Sequence, residues 1–446
     1  PRLAPARAAS RHEHGHALLM RAALALAIVL AATASAAADV GAFKRAWGAA
    51  ARQQGEAGRD AQLKALELLT AQPEPKGAEL LLKLSLAGEL DVAVRDGAEQ
   101  ALIRCLAEPA VTLWAGEAVA GKERKAERRV VLCRALGARL REDPRAGDLL
   151  LPVLEDKEPA VVSAALRGLA GLEKKPVVSA LVGLLQRAEG RVAGDARRAL
   201  EALTGQRQGS PAEWQSWWEG QRASFRFGAT EQRAEPGERV RTQTRLRPPG
   251  RGGRTLYEEI DSSRVLFVVD VSHSMQIPCK DVEGQTRTRL EYVKQALIGA
   301  LRDQLGPGDE FSILSFGSEV QLWRGKAKLA KAGGSSVKKA AAWVEGLRLA
   351  GDTNVYLALE TAFKIPKIDT IYFLSDGNPS QGKTIITSEI LAHVRRWNAG
   401  RGVRICTIGF LAGDPKAVGI VQDKKMAKDF LEALAKDNQG TARFFE

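Results

Sequence analysis

VLFVVDVSHSM at 265–275 and IYFLSDGNPS at 371–380 decide the fold of this chain. Each is an apolar run that ends on an aspartate, Asp270 in the first and Asp376 in the second. Val265, Leu266, Phe267, Val268 and Val269 show no polar alternation, which predicts a strand buried on both faces of a parallel sheet. Ligands of such sheets collect at the carboxyl ends of the strands, where the loops open. Asp270 and Asp376 are therefore expected at one edge of one domain. Ser272 and Ser274 follow Asp270, and GDTNVY at 351–356 presents Thr353 on a glycine-led loop. Two carboxylates and three hydroxyls form an all-oxygen set, suited to a hard cation such as Mg²⁺.

Asp-x-Ser-x-Ser, then a threonine, then a later aspartate resembles the metal-ion-dependent adhesion site of the von Willebrand factor type A domain. The resemblance covers residues 255–446 and implies that Asp270, Ser272, Ser274, Thr353 and Asp376 hold Mg²⁺, or Mn²⁺ or Ca²⁺. It also implies a binding function rather than an enzyme. An Asp or Glu carboxylate of a protein ligand displaces a water from the ion, and the metal bridges two proteins. His273 and Asp352 stand where the family has glycines; they narrow the backbone's freedom but remove no ligand. Two other readings compete with adhesion. In one, the metal only stabilises the loops of a structural scaffold. In the other, it activates water for hydrolysis, for which the nearby general base would be His273.

The segments around these motifs predict a doubly wound α/β domain. Helices are expected over 287–305, 335–347, 384–398 and 424–436, with strands over 310–317, 320–323 and 403–410 and a last short strand at TARFFE. The pair 310–317 and 320–323 reads as a hairpin with an antiparallel edge. Alternation of β and α at this spacing requires parallel strands with right-handed crossovers.

At 446 residues the chain predicts two or three domains. Residues 40–221 read as an all-α solenoid similar to HEAT repeats. DVAVRDGAEQAL at 91–102, EPAVVSAALRGL at 158–169 and EGRVAGDARRAL at 189–200 align on Val94, Val161 and Val192. Ala98, Ala165 and Ala196 then share one position, where a small side chain lets helices approach, and Leu102, Leu169 and Leu200 fill the seam. One hairpin cannot bury its own apolar face, so such units stack. The array closes on SPAEWQSWWEGQ, with Ser210 as an N-cap, Pro211 first in the helix and Glu213 completing a capping box. Trp214, Trp217 and Trp218 fall on one helical face, as expected of a cap over the open end of a stack.

Residues 222–254 carry nine arginines against three glutamates and read as a solvated basic Pro/Gly/Arg-rich linker. The whole chain has a formal charge of +13. Nucleic acid is not an expected partner, because the stretch lacks interleaved aromatics and a recognised binding fold. Attraction to acidic envelope polymers remains compatible with the charge. The first methionine is Met20, so residues 1–19 read as upstream read-through. Residues 20–38, with Arg21 before an alanine-rich apolar core and a small-residue end, read as a signal peptide for export to the periplasm or beyond. Of the four cysteines, Cys105, Cys133 and Cys406 lie in apolar patterns that predict buried thiols, and Cys279, in the loop after the first motif, is expected to be the exposed one.

Overall fold

The computed structural model describes residues 40–140, 142–228, 256–257, 260–280, 285–376 and 378–445. The read-through expected over 1–19, the signal peptide expected over 20–38 and most of the expected linker lie outside the described residues. The N-terminal part is all-helical and the C-terminal part is a mixed α/β sheet domain. By contacts, the chain divides into two compact units, with the boundary between Trp114 and Ala115.

The first unit holds α1 (residues 40–50), α2 (Gly55–Ala71), α3 (Pro75–Ser85), α4 (Val92–Cys105) and the start of α5 (Pro109–Glu117). Asp91 opens α4 by accepting from the Ala93 amide at 2.8 Å, an N-cap that satisfies one orphan donor. Gly97 lets α4 close on α2, since a Cβ there would lie 2.5 Å from Leu63 Cδ2. Leu66, Leu69, Leu81, Leu82 and Val94 fill the space between these helices.

The second unit continues with α6 (Ala126–Arg139), α7 (Ala146–Leu150), α8 (Pro159–Leu169), α9 (Lys175–Leu185), α10 (Gly190–Thr204) and α11 (Pro211–Gln221). The three segments aligned by sequence are α4, α8 and α10. Ala98, Ala165 and Ala196 are fully buried in them, as are Leu102, Leu169 and Leu200, so small and large side chains recur at matching depths. Helix α6 crosses α8 where Gly137 meets Gly168; a Cβ on Gly137 would lie 2.9 Å from the Gly168 Cα. The capping box of α11 forms, with Glu213 N donating to Ser210 Oγ and Ser210 N to Glu213 Oε2. Trp214 and Trp218 are buried, and Trp218 Nε1 donates to Ser179 Oγ of α9 at 2.9 Å. Two of the three tryptophans thus close the array against α9, and Trp217 stays half-buried.

The sheet domain contains β1 (Arg264–Asp270), β2 (Pro278–Lys280), β3 (Thr286–Thr288), β4 (Glu310–Phe316), β5 (Val320–Leu322), β6 (Ala330–Lys331), β7 (Thr370–Ser375), β8 (Arg404–Phe410) and β9 (Ala442–Phe445). The sheet order is β5-β4-β1-β7-β8-β9, with β6 also on β4. The run from β4 to β9 is parallel, and β5 and β6 add antiparallel edges. The helices are α12 (Arg289–Asp303), α13 (Gly334–Glu345), α14 (Val355–Lys364), α15 (Thr387–Asn398) and α16 (Lys424–Asp437). On one face Phe267 and Val269 of β1 join Tyr292, Leu297 and Val344 of α12 and α13. On the other Leu266 and Val268 join Leu359, Val394 and Phe430 of α14 to α16. This two-sided burial is what an apolar strand without alternation demands.

Three features depart from expectation. Helix α14 begins directly after the Thr353 loop, capped by Asn354, whose Oδ1 accepts from Leu357 N at 3.1 Å. Strands β2 and β3 form an antiparallel hairpin in a stretch expected as loop. That hairpin turns Cys279 inward: it is buried in the core beside Met275 and Tyr292, with Sγ 3.4 Å from the Arg287 carbonyl oxygen. The expected exposure of Cys279 is therefore corrected, because pairing across the hairpin fixes which way its side chain points. All four cysteines are free and buried.

Within the second unit, α10 is joined to the amino-terminal edge of the sheet by a buried ion cluster. Arg191 Nη1 donates to the carbonyls of Asp369 and Gly402 at 2.8 and 2.6 Å. Arg404, the first residue of β8, pairs with Asp195 of α10 at 3.3 Å and also with Asp261. Arg198 pairs with both Asp195 and Asp261. Gly194 makes the approach possible, since a Cβ there would overlap the Asp261 carboxylate. Burial alone would raise the Asp195 carboxyl, but Arg191, Arg404 and Arg198 outweigh it and hold the group well below the ordinary range.

Candidate metal centre

β1 and β7 are parallel neighbours in register from Val265↔Thr370 to Val269↔Leu374. Their carboxyl ends therefore carry Asp270 and Asp376 side by side, both buried. Asp270 is held from two sides: Oδ1 accepts from Ser272 N at 2.8 Å and Oδ2 from Ser375 Oγ at 2.6 Å. The Ser272 and Ser274 hydroxyl oxygens are 3.0 Å apart, and the Ser274 hydroxyl lies against the Asp376 carboxylate. Ser274 is partly exposed, so the cluster opens to solvent on that side.

Thr353 arrives on a separate loop that the backbone ties to the first. Ala350 N donates to Val271 O at 2.7 Å and His273 N to Gly351 O at 2.9 Å. Gly351 is in the left-handed region at φ 67°, which the turn requires. Ser380, beyond β7, accepts from Thr353 N at 2.9 Å and donates its own N–H to Thr353 O at 3.0 Å. All five residues named from sequence thus sit on three adjoining loops. Asp270, Ser272, Ser274 and Asp376 are in direct mutual contact or bridged by one residue, and Thr353 is buried on the neighbouring loop. His273 and Asp352 are not among the residues at positive φ, so both replace glycine without backbone strain.

Gly317 follows β4 directly; its carbonyl accepts from Asn354 N at 3.0 Å, and a Cβ on it would lie 1.6 Å from the Ala350 carbonyl oxygen. Gly317→Ala is expected to push the Thr353 loop outward. Stability should fall by about 1–3 kcal/mol from overpacking, checked by urea denaturation, with cation binding weakened in a calorimetric titration.

Two groups that hold the carboxylates carry no mark in the sequence, Ser375 on Asp270 and Arg289 on Asp376. Arg289, the first residue of α12, is fully buried, and its Nη1 donates to Asp376 Oδ2 at 3.1 Å. Its Nε donates to the Ala412 carbonyl at 2.8 Å and its Nη2 to Gln422 Oε1 at 3.1 Å; Gln422 Nε2 in turn donates to the Asp376 carbonyl at 3.3 Å. The Thr288/Glu291 capping box fixes where α12 starts and so puts Arg289 first in the helix, but no local feature tells which way its side chain turns.

The electrostatics are those of two carboxylates with one fixed guanidinium. Burial, and after it the charge of Asp376, pushes the Asp270 carboxyl up to about 7. Burial also raises Asp376, with Arg289 opposing it. Asp376 Oδ1 is buried and meets no well-aligned donor among the described residues. A buried carboxylate oxygen left without a partner is unfavourable unless something positive reaches it. Oxygen donors of this kind suit a hard divalent cation. Among the described residues no group of three or more His, Cys, Asp or Glu suited to a metal occurs; here hydroxyls complete the set.

Residues 263–444 match the family model described as the von Willebrand factor type A domain. Over 194 residues the chain is 25% identical to von Willebrand factor A domain-containing protein 3B of Homo sapiens, covering 44% of this chain and 13% of that protein. It is 31% identical over 194 residues to inter-alpha-trypsin inhibitor heavy chain H1 of Sus scrofa, covering 41% of this chain and 18% of that one. The chain thus spans less than a fifth of the length of these curated relatives. Among solved structures, a von Willebrand factor type A protein from Catenulispora acidiphila is similar at 22% identity and a TM-score of 0.28, over 39% of this chain and 42% of that one.

Proposed function

We propose that the von Willebrand factor type A domain at 263–444 binds a protein ligand through a divalent cation held by Asp270, Ser272, Ser274, Thr353 and Asp376. The observation that carries this is the pair of buried carboxylates beside the Ser272 and Ser274 hydroxyls, Asp270 held rigid by Ser272 and Ser375 and Asp376 with an Oδ1 that no well-aligned donor reaches among the described residues. Mg²⁺ suits the donor set best, with Mn²⁺ and Ca²⁺ as alternatives. The cation, when bound, would supply an electrophilic position for a carboxylate of the ligand. Asp270 and Asp376 supply charge, and the three hydroxyls supply weak neutral donors. With both aspartates ionised and Arg289 positive, the protein contributes a net −1, so a divalent ion leaves the centre at +1. That is more receptive to an anion than the near-neutral centre the two aspartates would give alone.

The helical repeats over 40–221 act in this reading as a scaffold or a second binding surface, joined through 222–254 to the sheet domain of 255–446. Arg21 followed by the apolar run up to Ala38 supports export. Among the described residues no helix is long and apolar enough to cross a membrane. The reading is of a binding protein and not an enzyme. Titration calorimetry of Mg²⁺, Mn²⁺ and Ca²⁺ into the full chain tests it, beside Asp270→Ala. Saturable binding by the wild type that the variant loses is expected; equal binding by both would place the ion elsewhere and overturn the assignment.

A further inference from the structure

Helix α10 reaches the amino-terminal ends of four of the five parallel strands. Before β1, Asp261 pairs with Arg198, and Ser263 lies where a Gly190 side chain would be. Before β7 and β8, the carbonyls of Asp369 and Gly402 both accept from Arg191 Nη1. Before β9, Gln439 Oε1 accepts from Arg191 Nη2 at 3.2 Å. Two more helices of the array meet the same edge. A Cβ on Gly402 would lie 3.6 Å from Ala160 Cβ of α8 and 3.8 Å from Val130 Cγ1 of α6.

Domains joined by a linker ordinarily move against each other, and a connection as rich in Gly, Pro and Arg as 222–254 predicts such motion. The contact at this edge has the opposite character. Arg191 and Arg404 are buried in it, and three arginines share Asp195: Arg191 at 3.2 Å, Arg404 at 3.3 Å, and Arg198. Gly190 and Gly194 have no side chain where one would collide with Ser263 and Asp261, so the backbones approach more closely than other residues would permit. Guanidinium groups bonded in fixed directions to several segments set orientation as well as adhesion. A slide of the helix along the edge would take Arg191 off both carbonyls and leave buried charges without their partners.

We infer that α6, α8 and α10 are a fixed base of the sheet domain, so that the end of the helical array and the candidate metal centre move as one body and the linker does not set their arrangement. This holds whether or not the centre takes a cation. Strands β1 and β7 run from the base to Asp270 and Asp376, a span of about 20 Å along β1. Whatever binds at the carboxyl edge is then held in one direction relative to α6, α8 and α10. The amino-terminal edge, covered by these helices, is closed to other partners.

Pulsed electron–electron resonance on the full chain tests this, with nitroxides on Gly183→Cys of α9 and Gly299→Cys of α12. A side chain at either glycine meets nothing within 4 Å, and the four native thiols are buried. One narrow distance is expected. Gly194→Leu drives a side chain into the Asp261 carboxylate, and Arg191→Ala removes the bonds to Asp369, Gly402 and Gln439. Each should spread the narrow peak into a broad distribution while the far-ultraviolet circular dichroism stays that of the parent. A broad distribution in the parent, with α10 unaltered, would overturn the inference. A narrow one that neither variant broadens would overturn it too, because the joint would then lie elsewhere.

Discussion

Asp261→Ala is expected to lower the stability of the second unit by about 3 kcal/mol, because it removes one of the two carboxylates that Arg198 and Arg404 share and leaves Asp195 alone to face both, with Arg404 buried. The Arg404 side chain is 4% exposed, so water cannot replace the lost carboxylate. Chemical denaturation of the full chain checks this as a fall in the urea midpoint. Asp429→Ala, which breaks the exposed pair with Lys425, is the comparison and should stay within about 0.5 kcal/mol. The cluster has a pH signature too. Asp195 and Asp261 are held below their unfolded values by the arginines, against the opposing effect of burial. Their stabilisation is complete above the ordinary carboxylate range and is lost as pH falls beneath about 4. If Asp261→Ala matched the wild-type midpoint, the cluster would hold nothing together.

Arg289→Met should be comparably disruptive, for a different reason. It removes the guanidinium that faces Asp376 and leaves two buried carboxylates facing each other. A loss of about 3–5 kcal/mol is expected in EDTA at neutral pH. Saturating Mg²⁺ should restore part of it, since binding to the folded state alone stabilises that state. Thermal unfolding with and without Mg²⁺ reads both quantities; a variant as stable as wild type in EDTA would show that Arg289 does not balance the centre. Asp270 sets the pH dependence of the metal-free protein. Its carboxyl is raised in the fold to about 7, by burial first and Asp376 second. Between about pH 4 and 7 the folded state holds a proton that the unfolded chain has released, so this group's contribution falls as pH rises. Cation binding runs the other way and strengthens with pH, because the ligand must be deprotonated. The difference in stability between wild type and Asp270→Asn isolates the effect.

Much of the centre was legible because one rule placed it. Two runs with the burial signature of central parallel strands must end at the same edge of the sheet, and each ends on aspartate, so Asp270 and Asp376 belong to that edge; the pairing of β1 with β7 then makes them neighbours. Ser272 and Ser274 follow by their short separation from Asp270. Arg289 was not legible. It is 87 residues from Asp376, and nothing in RTRLEYVK tells a solvated helical arginine from one turned inward. Ser375 has the same history: it is the last residue of an apolar strand, 105 residues from the Asp270 it holds.

Local pattern by itself determined the all-helical and α/β halves, the recurring alanine and leucine positions of α4, α8 and α10, and the capping box that starts α11. Each depends on neighbours within a turn, a strand or one repeat, where periodicity and burial are the same statement. Tertiary structure alone decided the rest. It turned Cys279 inward through a hairpin, carried Arg289 into the centre, and joined α10 to the sheet through Arg191, Asp195, Arg198, Asp261 and Arg404. Those charges read in sequence as ordinary surface residues, since a charged side chain carries no mark of burial until its partner arrives from a distant segment.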